Sequence, residues 1–197
     1  MPKVGMEKIR KQQLIEATLA SIEEHGLQGT TIVSIAKLAG VSTGIISHYF
    51  GGKTGLLKET TLYLLAQLKI DFLAQFKDKK PSANQRISYI INANFTSTQS
   101  SNKAAVAWLS FWVQSMHSDE FRKLQKLNHA RLASNLKFSL KQLIKYEHLD
   151  MVTQILAAQI DGQWLRCALA HSSEEKFKQA GIYCQQLADD LIERYKY

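Results

Sequence analysis

Apolar residues recur along most of this chain with the three- and four-residue spacing of an amphipathic α-helix. Over residues 7–25 that spacing gives one stripe made of Leu14, Ile15, Thr18, Leu19 and Ile22. The stripe predicts a helix that Gly26 ends. No stretch combines two-residue alternation with the β-branched residues typical of strands. We therefore expect an all-α protein with essentially no sheet.

Two short helices follow, separated by a tight turn. The first has Thr30 or Thr31 placed as its N-terminal cap and ends at Gly40. Its apolar face consists of Ile32, Ile35, Ala36 and Ala39. The second has Ser42 or Thr43 as its cap and ends before a pair of glycines. Two short helices joined by a glycine turn predict a helix-turn-helix.

Longer apolar stripes account for the rest of the chain. They predict helices over 53–77, 85–98, 103–117, 119–146, 149–171 and 174–195. The clearest break is the segment "KDKKPSAN", residues 77–84, and the later joints are rich in residues that cap helices.

The second short helix has an outer face of small polar residues. Thr43 and Ser47 are four residues apart, and so are Gly44 and His48, while Ile46 faces inward. A recognition helix places such residues against base edges in the major groove of DNA. Hydroxyl groups pair with any base, and a glycine lets the backbone approach closely. We therefore expect these four residues to contact bases; the alternative is an ordinary helical hairpin with a solvated face.

Four residues around that face are candidates for contacts with DNA phosphates. Ser42 and Tyr49 flank the face, and Thr31 begins the supporting helix. Lys53 begins the next helix, where free backbone N–H groups also favour an anion. The basic segment over residues 3–11 adds positive charge nearby.

The charge of the whole chain agrees with a nucleic-acid partner. The net charge of +8 favours a polyanion, and it also favours the alternative of a nonspecific chromatin-type DNA binder. Because the charge is spread along the chain, it does not locate a binding face. No apolar run is long enough for a membrane helix, and no secretion signal is recognisable. We expect a soluble, cytoplasmic protein that does not bind membranes.

We expect no catalytic residues, cofactor or metal. The two cysteines, Cys167 and Cys184, lack metal-ligand spacing, and the histidines form no HxxxH or HExxH pattern. No phosphate-binding loop or nucleophile elbow is present. Cys167 and His171, one helical turn apart, keep an enzyme as an alternative.

The segment "TIVSIAKLAGVSTGIISHYFGGKTGLL" resembles the DNA-binding segment of the TetR family of bacterial repressors. The matching features are Ala36, the run Ala39–Ser42, Gly44, the Tyr49–Phe50 pair, Lys53 and Leu56–Leu57. The pair Gly51–Gly52 departs from the family, whose members often carry a charged residue there. The resemblance implies a three-helix DNA-binding domain over 1–52 and a helical ligand-binding and dimerisation domain over 53–197.

The resemblance extends to one choline-sensing subfamily of these repressors. It is carried by "MPKVGMEKIRKQQLIEAT", "GVSTGIISHYF", "AWLSFWVQSMH" and "IDGQWLR". It implies a homodimeric repressor of glycine betaine synthesis genes that binds double-stranded operator DNA and is relieved by choline. A TetR-type regulator of multidrug efflux that senses another lipophilic cation is the alternative.

Aromatic residues and one carboxylate are candidates for a cation site. Trp108, Phe111 and Trp112 crowd one helix, and Asp161 precedes Trp164 by three residues on another. A quaternary ammonium donates no hydrogen bond, so proteins hold it with aromatic faces and a negative charge. We expect these five residues to bind choline; the alternative is that the aromatic residues are core.

The last two helices have the pattern of a dimer interface. Gly162 permits close approach, and Leu187 and Leu191 lie on one stripe. Packing within one chain is the alternative.

Overall fold

The structure, a computed structural model, describes residues 4–76 and 80–197. Its α-helices are α1 (Val4–Gly29), α2 (Ile32–Ala39), α3 (Thr43–Phe50), α4 (Lys53–Ala74), α5 (Ala83–Asn94), α6 (Ser97–Ser100), α7 (Asn102–His117), α8 (Asp119–Leu140), α9 (Leu149–Leu169) and α10 (Glu174–Tyr195). A short 3-10 helix, Tyr146–His148, precedes α9. The described residues form no strand, only an isolated bridge between Ile144 and Lys196. The prediction of an all-α protein with a helix-turn-helix is confirmed.

The first helix differs from its prediction at the C-terminal end. Gly26 does interrupt it, since its φ of 67° lies in the left-handed region that favours glycine. The helix then resumes for about one turn, to Gly29. The predicted apolar stripe is buried along its length, and Leu14 and Ile22 are fully inaccessible to solvent.

The helix predicted over 119–146 was wrong at its end, because α8 stops at Leu140. The chain turns there so that Ile144 becomes fully buried and pairs with Lys196. The amide of Lys145 donates to the carbonyl of Tyr195 at 3.0 Å. The end of helix α8 therefore lets residues 144 and 145 form backbone hydrogen bonds with the C-terminal residues.

The helix predicted over 85–98 is two helices in the structure. Helix α5 ends at Asn94, and Thr96 then caps α6 by accepting a hydrogen bond from the Gln99 amide. The Thr96 hydroxyl also donates to Asp71 at 2.8 Å. The helix predicted over 53–77 ends at Ala74, and residues 77–79 of the predicted break lie outside the described residues.

The chain forms two compact units. The first comprises Met1–Ala66 and Asn102–Leu124, and the second comprises Gln67–Ser101 and Gln125–Tyr197. In the first unit α1 packs against α7 and α2, and α2 packs against α3. In the second, α10 packs against α9, α5 and α6. This division follows packing, so the functional domains expected at 1–52 and 53–197 stay a prediction.

No helix among the described residues is long and apolar enough to cross a membrane.

Candidate DNA-binding surface and ligand cavity

A network of hydroxyl groups, buried at Ser21 and Thr30 and exposed at Thr31, fixes the start of α2. Thr31 caps the helix by accepting from the Ser34 amide at 3.0 Å, and the Ser34 hydroxyl accepts from the Thr31 amide at 2.9 Å. Ser21, fully buried on α1, lies 3.0 Å from the Ser34 hydroxyl and donates to Thr30. Thr30 in turn donates to the carbonyl of Gly26 at 2.8 Å. These bonds hold α2 against α1 and so fix the support for the next helix.

The turn between α2 and α3 depends on Gly40. Its φ of 63° and ψ of 36° are left-handed, a conformation that glycine adopts without strain. The amide of Val41 donates to the carbonyl of Ala36 at 3.0 Å, and that of Gly40 to Lys37 at 3.2 Å. This C-terminal cap sets the direction in which α3 leaves the turn.

Helix α3 presents a polar face to solvent. Ile46 is fully buried and anchors the helix, whereas Thr43, Gly44, Ser47 and His48 are exposed. A Cβ placed on Gly44 would have no neighbouring atom within 4 Å. The four residues predicted to contact bases therefore lie together on one open face, and their contact with bases stays a prediction.

The four candidate phosphate contacts differ in how they are held. Ser42 caps α3 by position only, because its exposed side chain makes no capping hydrogen bond. Thr31 is also exposed, but its hydroxyl is used in capping α2. Tyr49 and Lys53 are half-buried, and Lys53 is the first residue of α4. Of the basic segment over 3–11, Lys3 lies outside the described residues.

Glycines also shape the joint between α3 and α4. Gly51 caps α3 with a φ of 71°, and Gly52 has a φ of 120°. A Cβ on Gly55 would overlap the carbonyl oxygen of Phe50. Sequence reasoning missed Gly55, although a glycine in the first turn of a long helix is a signal for such a close approach.

The residues of the predicted cation site belong to different units. Trp108, Phe111 and Trp112 lie in the first unit, on α7, whereas Asp161 and Trp164 lie in the second, on α9. Trp108 and Phe111 are buried, and Trp112 is half-buried. Their joint binding of one ligand stays a prediction.

Two of these aromatic rings have partners in the core of their own unit. The ring of Phe111 stacks on that of Phe121 at 6.0 Å between centroids. The indole N–H of Trp164 donates to the carbonyl of Gln99 at 3.2 Å, and its ring lies edge-on to Phe177. Such contacts are those of packed core residues.

The second unit contains a cavity of about 340 Å³ that Asp161 lines. Its apolar wall consists of Leu68, Phe72, Leu73, Ile90, Ala93 and Leu132. Its polar wall is made by Lys69, Asn94, Asn128, Arg131, Asn135 and Asp161. A cavity that combines an apolar wall with converging polar groups can hold a small molecule.

Asp161 is the acidic group of this cavity. Burial raises the pKa of its carboxyl, and His129, whose Nε2 lies 3.9 Å from Oδ2, partly offsets that rise. Both residues also line a second cavity, between α8 and α9, of about 360 Å³. A half-buried carboxylate in this position costs free energy while it is charged, and a bound cation would lower that cost.

Phe72, the aromatic residue of the cavity wall, is held by Arg86. The Arg86 guanidinium lies 4.9 Å from the centre of the Phe72 ring and 5.0 Å from that of Phe138. It also donates to Asn135 Oδ1 at 2.8 Å. Burial lowers the pKa of Arg86, but a guanidinium remains charged at any ordinary pH.

Sequence reasoning missed every residue of this cavity except Asp161. One signal was available on α8, where Asn128, Arg131 and Asn135 recur at helical spacing on one face. A polar stripe of this kind, half-buried rather than exposed, indicates a lined space inside a helical unit.

The cysteines have the properties of structural residues. Burial raises the pKa of Cys184 to about 12 and also raises that of Cys167. A thiol with a raised pKa is a poor nucleophile, because the thiolate is the reactive form. The described residues contain no cluster of three metal-ligating side chains.

Comparison with known proteins assigns the chain to a family. Residues 14–60 match the family model of bacterial regulatory proteins of the tetR family, and residues 83–194 match that of the C-terminal domain of BetI-type transcriptional repressors. The HTH-type transcriptional regulator BetI of Vibrio vulnificus is 49% identical over 170 residues, which are 86% of this chain and 86% of that protein.

Solved structures agree in fold. A transcriptional regulator from Pseudomonas aeruginosa has a TM-score of 0.79 and 27% identity over 96% of this chain and 95% of that one. A regulator from Saccharomonospora viridis, solved in complex with choline, has a TM-score of 0.71 and 19% identity over 93% and 95%. These relatives are transcriptional regulators and not enzymes. The chain belongs to the TetR family of DNA-binding transcriptional regulators and carries a C-terminal domain of the BetI repressor type.

Proposed function

We propose that this TetR-type repressor controls the genes for glycine betaine synthesis from choline, and that choline relieves the repression. The names of its relatives support this choice of genes, since they are called BetI. The choline bound by the Saccharomonospora viridis regulator supports the choice of ligand, because it is held by the same fold. Residues 1–52 serve DNA binding, and residues 53–197 serve ligand binding and dimerisation.

The protein binds operator DNA as a homodimer through two recognition helices. TetR-type regulators bind DNA and dimerise. The exposed faces of α9 and α10 support a dimer interface there, since they carry Met151, Ile155, Leu169, Ile182 and Tyr183. Two α3 helices spaced by about 34–36 Å, one turn of DNA, or somewhat more then bind a pseudo-palindromic site.

The observation that carries the choice of ligand is Asp161 in its cavity. A quaternary ammonium needs a counter-charge and polarizable walls, and Asp161 and Phe72 supply one of each. The volume of about 340 Å³ suits a small molecule. Because burial makes the charged carboxylate costly, a bound cation is stabilised there more than at an exposed aspartate.

Two positive residues also line the cavity. Lys69 is exposed, so its ammonium group reaches water, and Arg131 already has an interaction within the protein. Both cationic side chains favour a ligand that also carries an anionic end. A zwitterion such as glycine betaine is therefore the second candidate ligand.

Calorimetric titration of the purified protein with choline, betaine aldehyde, glycine betaine and carnitine tests the ligand. Choline at about 100 times its dissociation constant should stabilise the protein by about 2.7 kcal/mol in a thermal melt. It should also release a fluorescent operator duplex. Tighter binding of glycine betaine would favour the zwitterion, and binding of none of the four would contradict the proposal in favour of an efflux regulator.

Variants then separate the cavity from the aromatic cage predicted on α7. Phe72→Ala should weaken choline binding if the ligand occupies the cavity beside Asp161. Trp112→Ala should weaken it if the cage of Trp108, Phe111, Trp112 and Trp164 contributes, and Trp112→Phe should then be milder. The control is Asp150→Asn, at an exposed aspartate on the same helix as Asp161 that pairs with Lys137 and does not line the cavity, and it should leave choline binding unchanged.

A further inference from the structure

One cation of the first unit lies beside the recognition helix and is already paired. The ammonium group of Lys11, on α1, lies 2.8 Å from Glu7 Oε1, one helical turn away. The same group lies 5.9 Å from the centre of the Tyr49 ring, on α3. Lys11 therefore connects the first helix with a residue that flanks the exposed face of α3.

The charges around this pair come from three helices. Glu7 raises the pKa of Lys11, and Glu59 on α4 and Tyr49 add to that rise. The pKa of Glu7 is lowered first by Lys11 and also by His48 on α3. Glu7 thus acts on the electrostatics of both Lys11 and the exposed face of α3.

We propose that Lys11 contacts a DNA phosphate next to Tyr49, and that the Glu7 carboxylate competes with that phosphate for the ammonium group of Lys11. The ion pair is exposed at both ends, so water and salt screen it and it is readily exchanged. Neutralising a phosphate with Lys11 releases counterions, which favours the exchange. The displaced Glu7 carboxylate stays near the duplex and repels it, whatever the base sequence.

Glu7 accordingly lowers the affinity for every duplex by a similar factor and carries no sequence information. Its effect is on how tightly the repressor holds DNA, and therefore on how easily the repressor is released. This inference uses the DNA binding of the family and is independent of the ligand. Failure of choline to bind would leave it standing.

Another ion pair of the chain provides a matched control. Glu174 and Lys178, at the start of α10 in the second unit, have the same four-residue spacing and the same 2.8 Å distance. Both pairs are exposed. Changing either pair alters the net charge equally, so only an effect of position separates them.

The experiment measures DNA affinity by fluorescence anisotropy over a series of salt concentrations. The proteins are the parent, Glu7→Gln, Lys11→Gln, the double variant, Glu174→Gln and Lys178→Gln. The probes are a duplex selected by the parent from a random library and a mixed-sequence duplex of the same length. Circular dichroism melts confirm that each variant is folded.

Lys11→Gln should weaken binding and reduce the slope of log affinity against log salt by about 0.9 for each bound copy of the chain. Glu7→Gln should tighten binding to both duplexes alike, by about three- to tenfold at low salt. That gain should fall by more than half, on a logarithmic scale, in the Lys11→Gln background. The two control variants should show neither effect.

Four results would overturn the proposal. An unchanged salt slope in Lys11→Gln would mean that Lys11 contacts no phosphate. Equal gains in DNA affinity from Glu7→Gln and Glu174→Gln would mean that Glu7 acts only through the net charge of the protein. The same gain from Glu7→Gln with and without Lys11 would mean that Glu7 does not act through Lys11. Weaker binding by Glu7→Gln would mean that the carboxylate is needed to hold Lys11 in position.

Discussion

The candidate DNA-binding surface and the candidate ligand cavity differ in what perturbs their charged groups. Around α3 the perturbed groups are exposed, and the main cause of each pKa shift is an ion pair, as for Glu7 and Lys11. In the cavity the main cause is burial, as for Asp161, and beside it for Arg86. Exposed charges respond to salt, whereas half-buried charges respond to pH and to a ligand that replaces water.

The difference in salt dependence between DNA binding and choline binding should therefore be larger than the effect of any single mutation. Lys11 and Lys53 in each of two protomers give about four phosphate contacts, so the slope of log affinity against log salt should be near −3.6. Raising salt from about 50 mM to about 200 mM should then weaken DNA binding by about 150-fold. Choline affinity, measured by calorimetry over the same range, should change by less than about threefold, because half-buried pairs are screened less.

Equal salt dependence of DNA binding and choline binding would contradict this difference between exposed and half-buried charges. It would mean that the choline site is an exposed ion pair, and that Asp161 in its cavity is not the counter-charge.

The next largest effect concerns two glycines of the first unit. Gly55→Ala places a Cβ against the carbonyl oxygen of Phe50, so the start of α4 must move away from α3. We expect a loss of stability of at least about 2 kcal/mol, seen as a fall in melting temperature of several degrees. Gly44→Ala is the control for stability, because its Cβ meets no atom within 4 Å.

Gly44→Ala should instead change DNA binding. Alanine favours a helix by up to about 1 kcal/mol over glycine, so the variant should melt at the same temperature or higher. The added methyl group would stand between α3 and the base edges, and operator affinity should fall. Unchanged operator affinity would indicate that Gly44 does not face the bases.

The first unit could be predicted in detail because its information is local. Thr31, Gly40 and Ser42 mark the ends of two short helices, and each acts within a few residues of its own position. The exposed polar set on α3 followed from helical spacing alone. The role of Gly55 was missed, because it depends on where the preceding helix ends.

The cavity could not be predicted in the same way, because its wall is assembled from helices far apart in sequence. Asp161 stood out as a carboxylate beside a tryptophan, but its neighbours Phe72 and Asn128 come from α4 and α8. The Arg86 contact with Phe72 and Phe138 joins three helices and has no local signature. The sequence pattern predicted a cation site at the tryptophans, but two of the three, Trp108 and Trp164, are buried.

Asp161→Asn should move stability and ligand binding in opposite directions. Because the folded protein raises the pKa of Asp161, the free protein loses stability as pH rises from the ordinary carboxyl range through that raised pKa. The neutral asparagine avoids this loss, so the variant without ligand should melt slightly higher at neutral pH. Choline binding needs the charged form and should weaken by at least about tenfold.

The pH profile of choline binding is the second readout of this variant. Parent affinity should fall as pH decreases through the raised pKa of Asp161, at a higher pH than for an ordinary aspartate. In Asp161→Asn, choline affinity should not fall over this pH range, because the titrating carboxyl group is absent. Identical profiles for both proteins would exclude Asp161 as the counter-charge.

The smallest expected effect compares two hydroxyl groups at helix starts. The Thr31 hydroxyl accepts from the Ser34 amide, so Thr31→Ala should cost about 1 kcal/mol of stability in denaturant unfolding. The Ser42 side chain makes no capping hydrogen bond, so Ser42→Ala should leave the unfolding midpoint almost unchanged. Both variants should weaken DNA binding modestly, since each loses a candidate phosphate contact. A stability loss in Ser42→Ala as large as in Thr31→Ala, with DNA affinity intact, would make Ser42 a structural cap and remove it from the DNA-binding surface.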